Sequence, residues 1–453
     1  MKFLRFISRL FVGVVFVFSG FVKAVDPLGS AYKFSDYFSA FGLDFLKGTA
    51  LPLAIIMSTI ELALGLTIIL GYRKKQSYWL LMIFMSFFTI LTFILAIFNP
   101  VSDCGCFGDA LILTNWQTFF KNVILMLFVL LLFADRNRKY PEARIFFEWG
   151  AIALIFAAGL LISINSYKHL PLIDFRPFAL GTNISEAMSV PDDAPVDQYE
   201  TILYYRDRES GKKEGFSLQN YPKDTLAWEF VDTESKLIKK GYEAPIHDFA
   251  LMDPFDEDVT NDLLSYPGYS LLMIAHNIES ANSEALKKGN EWSGLEKIAE
   301  DYKFYAISSS AQKQLNSAMR ENGLSYNFHV ADEIMLKTIV RSNPGFILIK
   351  DGTIIGKWAW RDFPDMSEID KSWEEMIITA NEPLDEEQQM LMEAGVFDDI
   401  NYGVVKTDQS LMKYLFSRAE DKNTSRVSLL FLLLGLLVLS TLRILTQIKS
   451  RRK

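Results

Sequence analysis

The sequence predicts a multi-pass α-helical membrane bundle joined to an α/β soluble domain, on three observations. Half of the 453 residues are apolar, and several runs reach the roughly 18 to 20 residues needed to cross a hydrocarbon core of about 30 Å. Lys and Arg collect on alternate connections between those runs only. Beyond the fifth run, short apolar strands alternate with stretches of helical periodicity, the pattern of an α/β domain.

Six runs are predicted to span: near Phe6–Val25, Pro52–Gly71, Tyr78–Phe98, Phe119–Phe133, Phe146–Ile164 and Val427–Leu442. Their basic flanks are Lys2, Arg5 and Arg9; Arg73, Lys74 and Lys75; Arg136, Arg138, Lys139 and Arg144; and Arg443, Lys449, Arg451, Arg452 and Lys453. Six spans with both termini cytoplasmic put all four groups on one side. The loop from Asn99 to Thr118 and the polar stretch from Ser166 to Arg426 then face outward, which predicts a bacterial inner-membrane protein with an extracytoplasmic domain. The first run also fits a cleaved signal peptide ending near Val22-Lys23-Ala24, an alternative that would leave the loop where it is. The predicted organisation is a four-helix membrane domain over 1–140, a fifth membrane helix over 146–165, and a linker with an appended β unit over 166–240. The α/β domain over 241–380 follows, then a helical return segment over 381–426 and a sixth membrane helix over 427–447.

The chain has 46 Lys and Arg against 55 Asp and Glu, a formal net charge of −9, with the acidic excess in the predicted outward part. That excludes nucleic acid as an expected partner and is explained by a solvated surface. The expected partners are the lipid bilayer and an exported or envelope protein.

Cys104-Gly105-Cys106 holds the only two cysteines of the sequence. A lone close pair reads as a local disulfide, a redox centre or a ligand pair. As a staple it would close almost no loop and constrain the unfolded chain little. Closing so small a ring costs strain, and strained, exposed disulfides tend to be labile or catalytic. Asp103 and Asp109 are expected to raise a thiol pKa. A metal site using Cys104, Cys106 and the two carboxylates is disfavoured, because no histidine lies nearby and the tetrahedral ligand spacings are missing. An inert turn remains open.

Ionisable groups at membrane depth are costly unless paired or facing a polar cavity. Lys23 sits near the end of the first run, where it can snorkel to the interface. Glu61, halfway along the second, has no such escape and is expected to face the bundle interior. Gly13, Ser19 and Gly20 on the first run, with Ala63 and Gly65 on the second, permit close helix approach. A supporting polar cluster of Ser19, Lys23 and Glu61 is therefore expected.

These residues carry a resemblance. Arg9, Gly13, Phe18-Ser19-Gly20 and Lys23 followed by Asp26-Pro27, then Glu61 and Gly65, resemble the DoxX group of four-span membrane proteins. The loop Cys104-Gly105-Cys106-Phe107-Gly108 is similar to that of the related MauE proteins. The resemblance covers roughly residues 1 to 140 and implies a redox-associated membrane module. MauE-like members are linked to methylamine utilisation through making or maintaining disulfides in an exported enzyme. It gives Cys104 and Cys106 a thiol–disulfide role, whereas nothing here supports transferring the methylamine substrate.

The predicted outward part carries a strand at Ser270–Ala275, a helix over Ser280–Tyr302, a strand at Lys303–Ser308 and helices at Ala311–Glu321 and Glu333–Val340. An alternating hairpin then turns at Asp351-Gly352, and a last helix is expected near Ser367–Thr379. This order resembles a thioredoxin fold, with Glu243–Phe249 similar to the opening strand of its peroxiredoxin and TlpA-like branch. The resemblance implies that Pro344 is the fold's cis-proline. Where that family carries its cysteines, this chain has His276-Asn277-Ile278-Glu279-Ser280. Without a thiol, the domain is expected to be a degenerate thioredoxin-like fold used for docking. His276 is expected as a surface histidine with a general-base role as the alternative, and His169, His247 and His329 as structural. Between the linker prolines Pro171 and Pro177 and this domain, Glu200–Tyr205 and Gly215–Leu218 form a second hairpin.

Two functions follow. The first is a thiol–disulfide redox module, whose single cysteine pair must pass electrons to another protein or to a quinone, the one cofactor candidate. The second is a non-catalytic scaffold whose outer domain docks an envelope partner. A transporter is a weaker third reading, because inverted repeats are not evident.

Overall fold

The computed structural model describes residues 2–101, 103–137, 145–191, 193–239, 241–297 and 301–364. The expected last helix near Ser367–Thr379, the return segment, the sixth span and the basic residues Arg138, Lys139, Arg144 and 443–453 lie outside the described residues.

Five of the described helices are long and apolar enough to cross a membrane. They are α1 (Lys2–Val25), then, after α2 (Pro27–Ala40), α3 (Ala50–Leu70), α4 (Lys74–Phe98), α5 (Asn115–Phe133) and α6 (Ile145–Lys168). The five expected runs in this region are helices, each longer than its apolar run. Helix α2 is the element the apolar pattern misses. Its start signals are nonetheless in the sequence: Asp26 caps it by accepting from the Gly29 N–H at 2.9 Å, and Pro27 occupies the first turn, where its missing N–H costs nothing. Helix α5 opens with a reciprocal capping box between Thr114 and Gln117.

Close packing of α1 on α3 is set by glycines. A Cβ at Gly20 would stand 2.3 Å from the Leu62 nitrogen, and one at Gly65 would stand 2.6 Å from the Val17 nitrogen. Gly13 faces Gly65 and Ile69 further along, so the two helices run antiparallel. The contact is backbone on backbone, the use of small residues that lipid-embedded helices favour because tails cannot drive apolar association. On α4, Ile83, Phe87, Ile90 and Ile97 leave an exposed apolar stripe for lipid. Arg5 pairs with Asp135 at 2.8 Å, and the Arg73 N–H donates to Glu148 at 3.0 Å. The start of α1, the α3–α4 connection and the end of α5 thus gather at one end of the bundle, opposite the cysteine loop.

Residues 169–182, expected as a link, are packed: Phe178 is buried, and the Gly181 N–H and Thr182 carbonyl bond to Ile354 at 2.8 and 2.9 Å. Residues 183–249 form a separate compact unit. It contains α7 (Ile184–Met188) and a three-stranded antiparallel sheet of β1 (Gln198–Asp207), β2 (Lys213–Ser217) and β3 (Trp228–Lys239), ordered β2-β1-β3. The predicted hairpin is β1–β2, with Tyr204 opposite Gly215; β3 was unanticipated. Glu243–Phe249 forms no strand, which corrects the expected opening strand.

From residue 250 the chain returns to the larger unit. After α8 (Thr260–Leu264) come β4 (Tyr269–Ile274), α9 (Ser283–Gly294), β5 (Tyr302–Ser308), α10 (Gln312–Asn322), β6 (Phe328–Val330), α11 (Glu333–Ile339), β7 (Gly345–Lys350) and β8 (Thr353–Ala359). The sheet is mixed, ordered β6-β5-β4-β7-β8. Strand β4 runs parallel to β5 and antiparallel to β7, which is why its residues read as a continuous apolar run buried on both faces. The β7–β8 turn places Asp351 and Gly352 at φ 49° and 68°, the left-handed pair a two-residue hairpin requires. Trp292, Phe346 and Phe363 close the core, with the two phenylalanine rings stacked at 3.7 Å. The Asn343–Pro344 bond is cis.

Replacing Gly20 with Leu is expected to push α1 off α3 and lower the melting temperature of the detergent-solubilised chain, at a cost of about 3 kcal/mol. Gly150→Ala, on α6 where an added Cβ meets nothing within 4 Å, is the matched control and should leave it unchanged or higher.

Candidate functional site

The cysteine loop lies between α4 and α5. Gly105 takes φ 62° and Gly108 φ 52°, and the Gly105 N–H donates to Asp103 at 2.9 Å. This tight turn brings the Cys104 and Cys106 sulfurs to 2.9 Å of one another, both as free thiols. Helices α1 and α2 grip the loop. Ser19 donates its hydroxyl to the Cys106 carbonyl at 2.7 Å, Tyr37 donates its phenol to the Cys104 carbonyl at 2.6 Å, and Lys33 pairs with Asp103 at 2.6 Å.

Below the loop, Lys23 Nζ stands 2.6 Å from Glu61 Oε2, with both side chains largely buried. Lys23 therefore meets a carboxylate across the helix interface, and does not snorkel away from it. Ser19, Lys23 and Glu61 all line one cavity of about 340 Å³ with Cys104 and Cys106. Its walls are mainly aromatic and aliphatic side chains from α2, α3, α4 and α5.

The two thiols differ sharply. A hydrogen bond from Cys104 holds the Cys106 thiol down, to about 6, against the effect of burial, and the ammonium groups of Lys121 and Lys23 add to it. The same bond, with burial, pushes the Cys104 thiol well above its usual range. The expected push from Asp103 and Asp109 gives way to these causes, because Asp103 is turned to Lys33 and Asp109 to Arg341.

Four contributors escape a reading of apolar runs. Lys121, a turn and a half into α5, lines the cavity and lies 4.4 Å from the Phe107 ring; its signal was a charge inside the shortest run. Tyr37 and Lys33 belong to the unanticipated α2. Arg341, just before the cis bond, reaches from the α/β domain to the membrane module. It contacts Asp26 at 3.0 Å and Asp109 at 2.8 Å, and lies over the Tyr32 ring. Burial pushes the Asp109 carboxyl and the Tyr32 phenol up, the latter to about 12, while two carboxylates keep Arg341 charged despite its burial. Beside it, Lys357 and Arg176 share Asp174, each at 2.7 Å.

His276, at the end of β4, is half-buried, and its Nδ1 has no hydrogen-bond partner among the described residues. Asn343 donates to the Asn277 carbonyl next to it at 2.7 Å. His169 pairs with Asp362 at 2.8 Å, and His329 packs on Tyr305.

This arrangement defines a multi-pass membrane protein with a close cysteine pair roofing an intramembrane cavity. Residues 1–135 match the family described as methylamine utilisation protein MauE, and residues 199–240 match a domain of unknown function, DUF8463. The first match takes in α1 to α5 and every residue of the cavity; the second takes in the small sheet. No curated protein and no solved structure matches the chain.

Arg341→Ala leaves Asp26 and Asp109 without their shared cation, and should cost about 3 kcal/mol of stability, read as a lower melting temperature. Lys212→Ala, which removes an exposed pair, should change little. His276 gives a pH signature. Burial, with the charge of Lys337, depresses its imidazole to about 4, so between pH 6.5 and 4 the unfolded chain binds the extra proton. Stability should therefore fall as the pH drops through that window. Melting at pH 7 and pH 5 should show a smaller loss in His276→Asn than in the parent.

Proposed function

We propose that the protein is a membrane thiol–disulfide redox module that acts on exported proteins through Cys104 and Cys106. The observation that carries the reading is the loop geometry: two sulfurs 2.9 Å apart, with the neighbouring thiol and the ammonium groups of Lys121 and Lys23 favouring the anionic form of Cys106. A thiolate of that kind is the attacking species in disulfide exchange, and a neighbouring thiol that stays protonated is a resolving group. Cys106 attacks a partner disulfide or is attacked as part of one, and Cys104 closes the internal bond.

The distribution of basic residues supports an inner-membrane orientation with both termini in the cytoplasm and the cysteine loop outside. The α/β domain then faces the same compartment. Its β5-β4-β7-β8 order, helix after β4 and cis-proline before β7 support the thioredoxin-like resemblance, with Pro344 in the family's proline position. Lacking a thiol, that domain serves to hold an exported partner beside the loop. A non-catalytic scaffold is the second reading. The Arg341 clamp favours it, because a domain tied so firmly to the bundle has an architectural role whatever the cysteines do.

Maleimide mass-tagging of the full chain across a glutathione series separates the two. The redox reading expects a reversible two-thiol transition at a potential above about −300 mV. In the reduced protein, alkylation of Cys106 should reach its half-maximum at a lower pH than that of Cys104. A pair that stays in one state throughout the series leaves the scaffold.

A further inference from the structure

The cavity beneath the cysteine pair is larger than a helix interface needs, and its chemistry is divided. At about 340 Å³ it reaches the lower end of small-molecule sites. Phe34, Phe38, Phe84, Phe88, Met57 and Leu91 supply flat or flexible apolar walls. Polar groups gather at the cysteine end: Tyr37, the Lys23–Glu61 pair, Asn122 and Lys121. Phe87, 58% exposed on α4, and Phe41, 44% exposed after α2, stand at the rim, so the mouth opens on the apolar flank of the bundle.

Lys121 is the informative group. Lys23 has Glu61 and Lys33 has Asp103, but Lys121 makes no ion pair among the described residues, only its contact with the Phe107 ring. An ammonium at this depth without a carboxylate is costly, and such residues mark binding or transport sites. An apolar ring carrying a hydrogen-bond acceptor that becomes anionic on reduction fits both halves of the cavity. The sequence contains no second cysteine pair to pass electrons onward, so the acceptor must come to this one.

We propose that this cavity binds a lipid-soluble quinone, with its ring between the aromatic walls and one oxygen directed to Lys121, and that the quinone oxidises the Cys104–Cys106 dithiol. The inference rests on the redox reading of the pair. In the step, the Cys106 thiolate forms an S–C bond to the ring, and one thiol-derived proton goes to a ring oxygen. The Cys104 sulfur then attacks Cys106 Sγ, forming the S–S bond as the S–C bond breaks with its electron pair left on the ring. The second thiol proton completes the hydroquinone. Two thiols and one quinone give one disulfide and one hydroquinone.

The test uses the full chain in detergent, freed of lipid, reduced, desalted and mixed with decylubiquinone under argon. The expected result is one decylubiquinol formed per two thiols lost, by absorbance and mass-tagging. Lys121→Gln should raise the decylubiquinone KM about tenfold, roughly 1.4 kcal/mol of lost binding. Leu91→Trp, which fills the cavity without touching charge, should weaken binding as well. Retention of parental KM in both variants overturns the proposal. So does a pair that titrates with glutathione yet neither binds nor reduces decylubiquinone, a result that leaves the redox reading standing. Decylubiquinone that binds while the thiols stay unreactive to every oxidant overturns both.

Discussion

The ion pair between Lys23 and Glu61 is the constraint around which the membrane half is arranged. Either charge alone at this depth would be expensive, and together at 2.6 Å they offset much of that cost only if α1 and α3 hold them in register. The glycines at 13, 20 and 65 provide that register by letting the two backbones touch. Once α1 is fixed, Ser19 is placed to hold the Cys106 carbonyl, and the cavity acquires its polar end. The cysteine loop is thus positioned by a charge pair that it does not itself contain.

The same logic of shared charge extends upward. Asp26 caps α2 and also receives Arg341, so one carboxylate fixes the direction of a helix and the seat of the α/β domain. Asp109, two residues beyond Phe107, receives the same guanidinium. Arg341 suits this place because its planar fork can serve two carboxylates and stack on Tyr32 at once, which a lysine could not do. The segment before the cis-proline faces the membrane module through these contacts.

Chemically, the loop makes two unlike thiols from two identical residues. The sulfurs share one contact at 2.9 Å; burial and that contact push the Cys104 thiol up, while the contact and the charges of Lys121 and Lys23 hold the Cys106 thiol down. Asymmetry of this kind is what a thiol pair needs to distinguish attack from resolution.

Five of the membrane spans, the hairpin at Asp351-Gly352 and the alternation of strands and helices were legible in the sequence, because each depends on local periodicity, turn chemistry or composition. Glu61 was legible too, since the cost of an unpaired carboxylate in lipid does not depend on knowing its partner. Helix α2 was missed because it is short and only moderately apolar, although Asp26-Pro27 marked its start. Strands β3 and β6 were missed because edge and exposed strands carry little apolar alternation. That Lys23 reaches Glu61, that Lys121 joins them under the loop, and that Arg341 lies over 200 residues from the aspartates it binds were decided by tertiary structure alone. Such pairings depend on which helix faces which and at what depth, and that is fixed by packing across the whole fold.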